Sequence, residues 1–398
     1  MSEWKECKLG DVAEITSAKR IYYSEYVPNG VPFFRSKEII ERFNRQNTST
    51  ELFIKRERYE EIRRKFGAPQ EGDILLTSVG TLGIPYQVRK EDEFYFKDGN
   101  LTWFRNIDFK AIDRRFLYFW ITSVVGQQQL YEASIGSTQP ALTIVGLKNI
   151  DILLPSILEQ RAIAGVLSSL DDKIDLLHRQ NKTLEGIAEA LWRKMFVEEA
   201  KPEWKKGKLG DYGEFKNGIN YSRNENGDAE YSILNVRDIV ESKYVNVSNF
   251  EKVSIDSRKA TPYLLAKGDI VIVRSASPGE SLIVLEDIDD LIYSGFSIRL
   301  RCHDKKHSLF LFQFLQSFKK EMDVFSDGTT LKNINQEILN SIELIAPEKD
   351  AVNIFNDRVD CIYDKILLNQ RQIQNTSRLR DMLLPKLVTG EVKVHYDQ

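Results

Sequence analysis

The chain has 398 residues, a formal net charge of −3 and 42% hydrophobic residues, enough for two ordinary packed domains with additional helical rods. It contains no apolar run of roughly 18 residues, so no membrane span is expected, and its opening Met1-Ser2-Glu3-Trp4-Lys5-Glu6 lacks the apolar stretch of a secretory leader. Cys7, Cys302 and Cys361 are scattered and outside any Cys-x-x-Cys pattern, which argues against a disulfide framework and for a reduced, cytoplasmic setting.

Read from the amino end, the chain says nearly everything twice. Residues 3–14 and 203–214 agree at eight of twelve positions, including Glu-Trp-Lys and Lys-Leu-Gly-Asp. A solenoid repeats every 20–50 residues or so, so this is a whole domain duplicated. Phe33 to Ile39 lies over Ile233 to Ile239 at an offset of 200. Gly72-Asp73-Ile74-Leu75-Leu76 lies over Gly268-Asp269-Ile270-Val271-Ile272 at 196, with Gly99 and Arg105 over Gly295 and Arg301. From Gly136-Ser137-Thr138 over Gly328-Thr329-Thr330 onward the offset stays at 192, through Pro155 over Pro347 and Arg179-Gln180 over Arg371-Gln372. Length changes therefore fall in the front of each repeat, as loops tolerate, and none falls in the back.

The fronts read as α+β. Gly72-Asp73-Ile74 and Gly268-Asp269-Ile270 lead from a turn into a buried strand, Phe94 to Phe104 and Leu291 to Leu300 read as strands, and Phe116 to Val125 and Leu309 to Phe318 read as amphipathic helices. The backs read as long helices that start after Pro155 and Pro347. In the first, Ile163, Leu167, Leu170, Ile174, Leu177, Asn181, Leu184, Ala188, Leu191 and Met195 step by three and four, the seam of a coiled coil. In the second, the seam runs Val352, Phe355, Val359, Ile362, Ile366, Asn369 and Ile373, then Leu379, Leu383 and Leu387, with Thr376 and Arg380 weakening it. Each rod would be about 50 Å long at about 1.5 Å per residue.

Several chemistries have no signature. There is no P-loop, no Gly-x-Gly-x-x-Gly, no Asn/Asp-Pro-Pro-Tyr/Phe amine-methylation motif, no Gly-x-Ser-x-Gly and no His-Glu-x-x-His. Cys302, His303 and His307 have ligand-like spacing but no second cluster, so they read as a surface group and no metal is expected. The run Lys55 to Lys65 carries six basic groups in eleven residues. It reads either as a solvated helix face with i,i+4 pairs or as a phosphate-tracking element.

Two variable fronts, each followed by a fixed-length helix, with Trp4-Lys5, Lys8-Leu9-Gly10-Asp11, Gly136-Ser137-Thr138-Gln139, Leu154-Pro155-Ser156-Ile157-Leu158-Glu159-Gln160-Arg161 and Lys173-Ile174-Asp175 in order, resemble the specificity subunit of type I restriction-modification systems. The second copy departs where Glu159-Gln160 becomes Ala351-Val352. The resemblance implies an α+β chain of two pseudo-twofold-related α/β target recognition domains, joined by two long antiparallel coiled-coil helices. Residues 1–155 and 201–346 would be the recognition domains, 156–200 and 347–390 the spacer helices, and 391–398 a tail. It implies double-stranded DNA as ligand, two methyltransferase subunits and restriction subunits as partners, and no membrane. No cofactor is expected in this chain: S-adenosyl-methionine would sit in the methyltransferase, and ATP and Mg in the restriction subunit. Catalysis would likewise belong to the partners. Open alternatives are a type IIB-like specificity subunit and, in another class, a stand-alone DNA-binding scaffold or regulator.

Base reading needs Arg, Lys, Asn and Gln side chains, and phosphate binding needs hydroxyl-rich loops. The candidates in the first domain are Arg35, Lys37, Arg42, Arg45, Gln46, Arg63, Arg64, Thr77, Ser78 and Thr81. Those in the second are Asn217, Asn220, Tyr221, Arg223, Arg237, Arg274, Ser275 and Ser277. If the helices overlap fully and antiparallel, facing residue numbers total 550, and Asn181 meets Asn369 as a register pair.

Overall fold

The computed structural model describes residues 4–46, 48–136, 140–222, 226–245, 250–325 and 333–395. The motif residues Ser137, Thr138, Gln139, Gly328, Thr329 and Thr330 lie outside that set. The chain forms two compact units, Met1–Lys173 with Thr376–Gln398, and Ile174–Asn375. Domain boundaries drawn from sequence separate fronts from helices, whereas the division into units cuts the first long helix near its middle and the second about two thirds of the way along.

In the first unit, Glu14–Thr16, Leu101–Arg105, Ile74–Thr77 and Pro85–Gln87 form an antiparallel sheet in that order. Ile74 and Leu76 face a cluster with Phe116 and Trp120 of the helix Arg114–Thr122, while Leu75 faces one with Phe34 and Trp103. Covering both faces explains why this strand reads as a continuous apolar run. A smaller sheet holds Tyr26–Val27, Phe53–Ile54, Val31–Phe34 and Tyr95–Phe96, the last two parallel. The second unit repeats the plan. Gly213–Asn217, Ser297–Cys302, Ile270–Val273 and Ser281–Ile283 form one sheet. Glu251–Ile255, Ala229–Leu234 and Leu291–Tyr293 form the other, again with its last pair parallel.

The strands expected over Phe94 to Phe104 and Leu291 to Leu300 each split in two, and the halves enter different sheets. Glycine permits the crossing. Gly99 adopts φ +77°, and a Cβ on Gly295 would stand 2.1 Å from Asn220 Oδ1. The helix expected from Phe116 to Val125 also breaks, because Ser123 Oγ accepts from Gly126 N at 3.1 Å and caps a new helix, Val124–Glu132. The counterpart is one helix, Ser308–Phe325.

The long helices are Ile157–Arg193 and Lys349–Val388. In the first unit Ile163 and Leu167 share a cluster with Leu387 and Leu383. In the second, Leu184, Ala188, Leu191 and Met195 share one with Ile366, Ile362, Val359 and Phe355. Asn369 bonds Asn181 while Arg358 meets Met195, and Arg380 bonds Asp171 while Leu387 shares a cluster with Ile163, so the helix halves in each unit run antiparallel. One seam assignment needs correction. Leu379 is exposed, and the unbroken heptad passes through Thr376 and Arg380. The Arg380 guanidinium is held there by Asp171 Oδ1 at 2.7 Å from Nη1 and by Asp381.

The buried Gln160 explains its motif. Its Nε2 donates to Ala111 O at 3.0 Å and Pro155 O at 2.9 Å, and its Oε1 accepts from Asp113 N at 2.9 Å. These bonds stitch the helix start to the front domain. In the second copy Val352 is buried in an apolar core instead, which is why the motif disappears without loss of the helix.

Candidate nucleic-acid interface

The first domain ties up several candidate side chains. Arg35 donates through Nη2 to Glu38 Oε1 at 2.8 Å, the main cause of its raised pKa. Lys37 lies 3.9 Å from Glu41 and 3.8 Å from Glu51. Arg42 donates to Tyr86 Oη at 2.7 Å and Asp92 Oδ1 at 2.5 Å, and sits over the rings of Phe34 and Tyr86. Burial and the bond to Asp92 push the Tyr86 hydroxyl well above its ordinary range. Arg42 thus fastens the domain. Arg45, at φ +59°, reaches Asp171 at 3.3 Å, and Gln46 is exposed.

The basic run forms the helix Arg56–Phe66, and most of its charges are paired. Arg56 binds Glu93, Arg58 binds Glu25 and Glu61, and Lys65 binds Glu61. Arg63 makes only a 3.7 Å contact with Glu60, and Arg64 donates to the Glu60 carbonyl at 3.3 Å. Both face solvent.

The loops after the Gly-Asp-Ile strands superimpose in plan. Gly83 N donates to Thr77 O at 2.9 Å and Gly279 N to Val273 O at 3.0 Å. Ser78 N donates to Asn100 O, and Arg274 N to Phe296 O. Thr77 and Ser78 are buried: Thr77 Oγ1 accepts from Ile84 N, and the Ser78 hydroxyl lies 2.6 Å from that of Thr102. Their hydroxyls hold the loop, while Thr81 at the tip is exposed. In the second loop Ser275 bridges to Asn333, Ser277 is half-buried, and Arg274 donates to Gly295 O at 3.2 Å.

In the second domain the structure brings Asn220, Tyr221 and Arg237 to one open cleft of about 490 Å³, with Phe296 at 66% exposure among its lining residues. Asn217 ends the neighbouring strand, exposed. Arg223 lies outside the described residues. Asn235, Glu251, Ser294 and Phe296 also line the cleft and escaped sequence reading. The available signal was Gly295, which matches Gly99 and is followed by an aromatic residue in this copy alone.

Cys302 is buried, so the expected surface group with His303 and His307 does not form; the His307 ring packs edge-on against Tyr212. Among the described residues no group of three or more His, Cys, Asp or Glu side chains is arranged to hold a metal. No helix there is long and apolar enough to cross a membrane. Midway along the seam, Asn369 Nδ2 donates to Asn181 Oδ1 at 2.8 Å.

Two α+β fronts, each built onto antiparallel helix halves, define a duplicated recognition chain. The family model for the type I restriction modification DNA specificity domain matches it twice, over residues 1–186 and 201–376. The chain belongs to the type I restriction-modification DNA specificity family. It is 27% identical over 422 residues to the type I restriction enzyme MjaIX specificity subunit of Methanocaldococcus jannaschii, covering 98% of this chain and 94% of that one. It is 21% identical over 474 residues to the HindI specificity subunit of Haemophilus influenzae, covering 98% and 100%. The crystal structure of the S subunit of a type I restriction-modification system from M. genitalium shares its fold, with a TM-score of 0.57 at 17% identity over 96% of both chains.

Proposed function

We propose that this chain is the DNA-specificity subunit of a type I restriction-modification complex. Each front domain reads one half of a split double-stranded target, and the helices set the unread spacer between the halves. The observation that carries this reading is the repetition of one α+β plan on antiparallel helix halves, which offers two readers, one for each half-site of a split target.

The same repetition supports two methyltransferase subunits as partners. Leu153 and Ile345, Leu176 and Leu368, and Ile187 and Leu379 are equivalent across the copies, and all six are exposed apolar side chains. Two equal surfaces suit two copies of one partner. Restriction subunits complete the complex. S-adenosyl-methionine then belongs to the methyltransferase, ATP and Mg to the restriction subunit, catalysis to both partners, and the assembly to the cytoplasm. Within the first domain, the exposed Arg63, Arg64, Gln46 and Thr81 are the contacts to DNA, while Arg42, Thr77 and Ser78 hold the fold behind them.

Exchanging residues 1–155 for the front domain of another family member tests the reading. One half-site should change and the other should stay. A change in both halves together, or a saturated complex with one methyltransferase per chain, would overturn it.

A further inference from the structure

The parallel strands Ala229–Leu234 and Leu291–Tyr293 end at the same edge of their sheet, with Leu234 paired to Tyr293. The chain continues from them into Asn235 and Ser294, both of which line the cleft. Open sheets bind ligands beyond the carboxyl ends of parallel strands.

Three observations on the cleft point to a ligand. Ser294 is 2% exposed, yet its Oγ has no hydrogen-bond partner; a buried hydroxyl left so is costly until something fills the site. Arg237 is 63% exposed and meets Asp238 only at 3.6 Å, so its guanidinium edge remains available. Glu251 is half-buried and accepts from Asn235 Nδ2 at 3.1 Å through one carboxylate oxygen, leaving the other.

Resting on the proposed reading, we infer that this cleft reads one G·C pair in the half-site taken by the second domain. Arg237 donates to guanine O6 and N7, and Glu251 accepts from the cytosine N4 amino group, the pairings that major-groove edges allow. A carboxylate beside DNA phosphates is repelled, and a cytosine amino group in front of Glu251 offsets that repulsion. Phe296 supplies the apolar contact to the neighbouring base pair. The first domain lacks this set. Arg35, bonded to Glu38, stands where Asn235 does, Lys37 stands where Arg237 does, and Asn100 where Phe296 does. The two half-sites are therefore read by different chemistry.

The test is selection of bound duplexes from a random-sequence pool, using the full chain in the complex in which it purifies. The native chain should enrich two half-sites, one of them containing a G·C pair at a fixed position. Arg237→Ala and Glu251→Ala should each relax that one position by about tenfold. The other half-site, still enriched in the same molecules, reports that each variant is folded. If the native chain enriches both half-sites and either variant keeps the full preference, or relaxes a different position, the inference is wrong and the two-reader function stands. If the native chain enriches no split motif, the function itself falls, and the inference with it.

Discussion

Asn369 donates through Nδ2 to Asn181 Oδ1 at 2.8 Å, and both amides are buried in a mainly apolar stretch of the seam. Only the unlike pairing of the two repeats achieves this. The repeat offset of 192 sets Asn181 over Ile373 and Leu177 over Asn369, so a second copy pairing like with like would face each amide with an aliphatic side chain. Asn181→Leu should leave the Asn369 amide with only its 3.4 Å bond to Gln180 and cost about 1–3 kcal/mol in urea unfolding. Adding Asn369→Leu should recover that stability while letting the register slip. The slip would be read as variable spacing between selected half-sites. Equal stability in all four members of the cycle would contradict the pairing.

Arg42 serves the fold. Asp92 is nearly covered, and Arg42→Ala leaves its carboxylate and the Tyr86 hydroxyl without their cation. A loss of about 3 kcal/mol is expected, visible as a lower midpoint of thermal unfolding, with half-site preference unchanged in whatever remains folded.

Arg63 and Arg64 should behave oppositely. Replacing both with alanine should leave unfolding within about 0.5 kcal/mol of native. It should weaken binding to all sequences alike and lower the slope of log affinity against log salt by about 2. An unchanged slope would make them an ordinary solvated face.

The three cysteines should react in order of access. Burial pushes the Cys302 thiol up to about 11, so below that pH it stays protonated and a poor nucleophile. Cys361 is exposed and Cys7 half-buried with a pKa raised by burial. Thiol labelling at pH 8 should modify Cys361 first, then Cys7, and Cys302 only with unfolding. Early labelling of Cys302 would show that its strand opens in the native state.

The paired loops offer an internal comparison. Gly80 has φ +82° and Ala276 φ +68° at the matching position. A non-glycine residue there costs about 1 kcal/mol, so Gly80→Ala should lower stability by roughly that amount even though a Cβ at Gly80 would meet nothing within 4 Å. Ala276→Gly should be neutral or slightly stabilising, since relieved strain is partly offset by a freer unfolded chain. Calorimetry on the two variants decides the sign.

Much of this architecture is legible in the chain because it rests on repetition and period. The offsets of 200, 196 and 192 mark the duplicated domain, and the three-four stepping of apolar residues marks both long helices and, through Asn181 and Asn369, their facing register. Such features depend on helix geometry and on copying, both of which are local or internal to the sequence.

Tertiary structure decided what depends on neighbours distant in the chain. Leu379 and Arg380 exchange roles because Asp171 stands where it can hold a guanidinium in the seam. Gly99 and Gly295 divide apparently continuous strands between two sheets, since apolar runs alone do not say which sheet buries them. The candidate arginines divided in the same way. Composition makes Arg35, Arg42, Arg63 and Arg237 equivalent, and only the carboxylates brought up by folding distinguish a charge spent on the fold from one left at the surface.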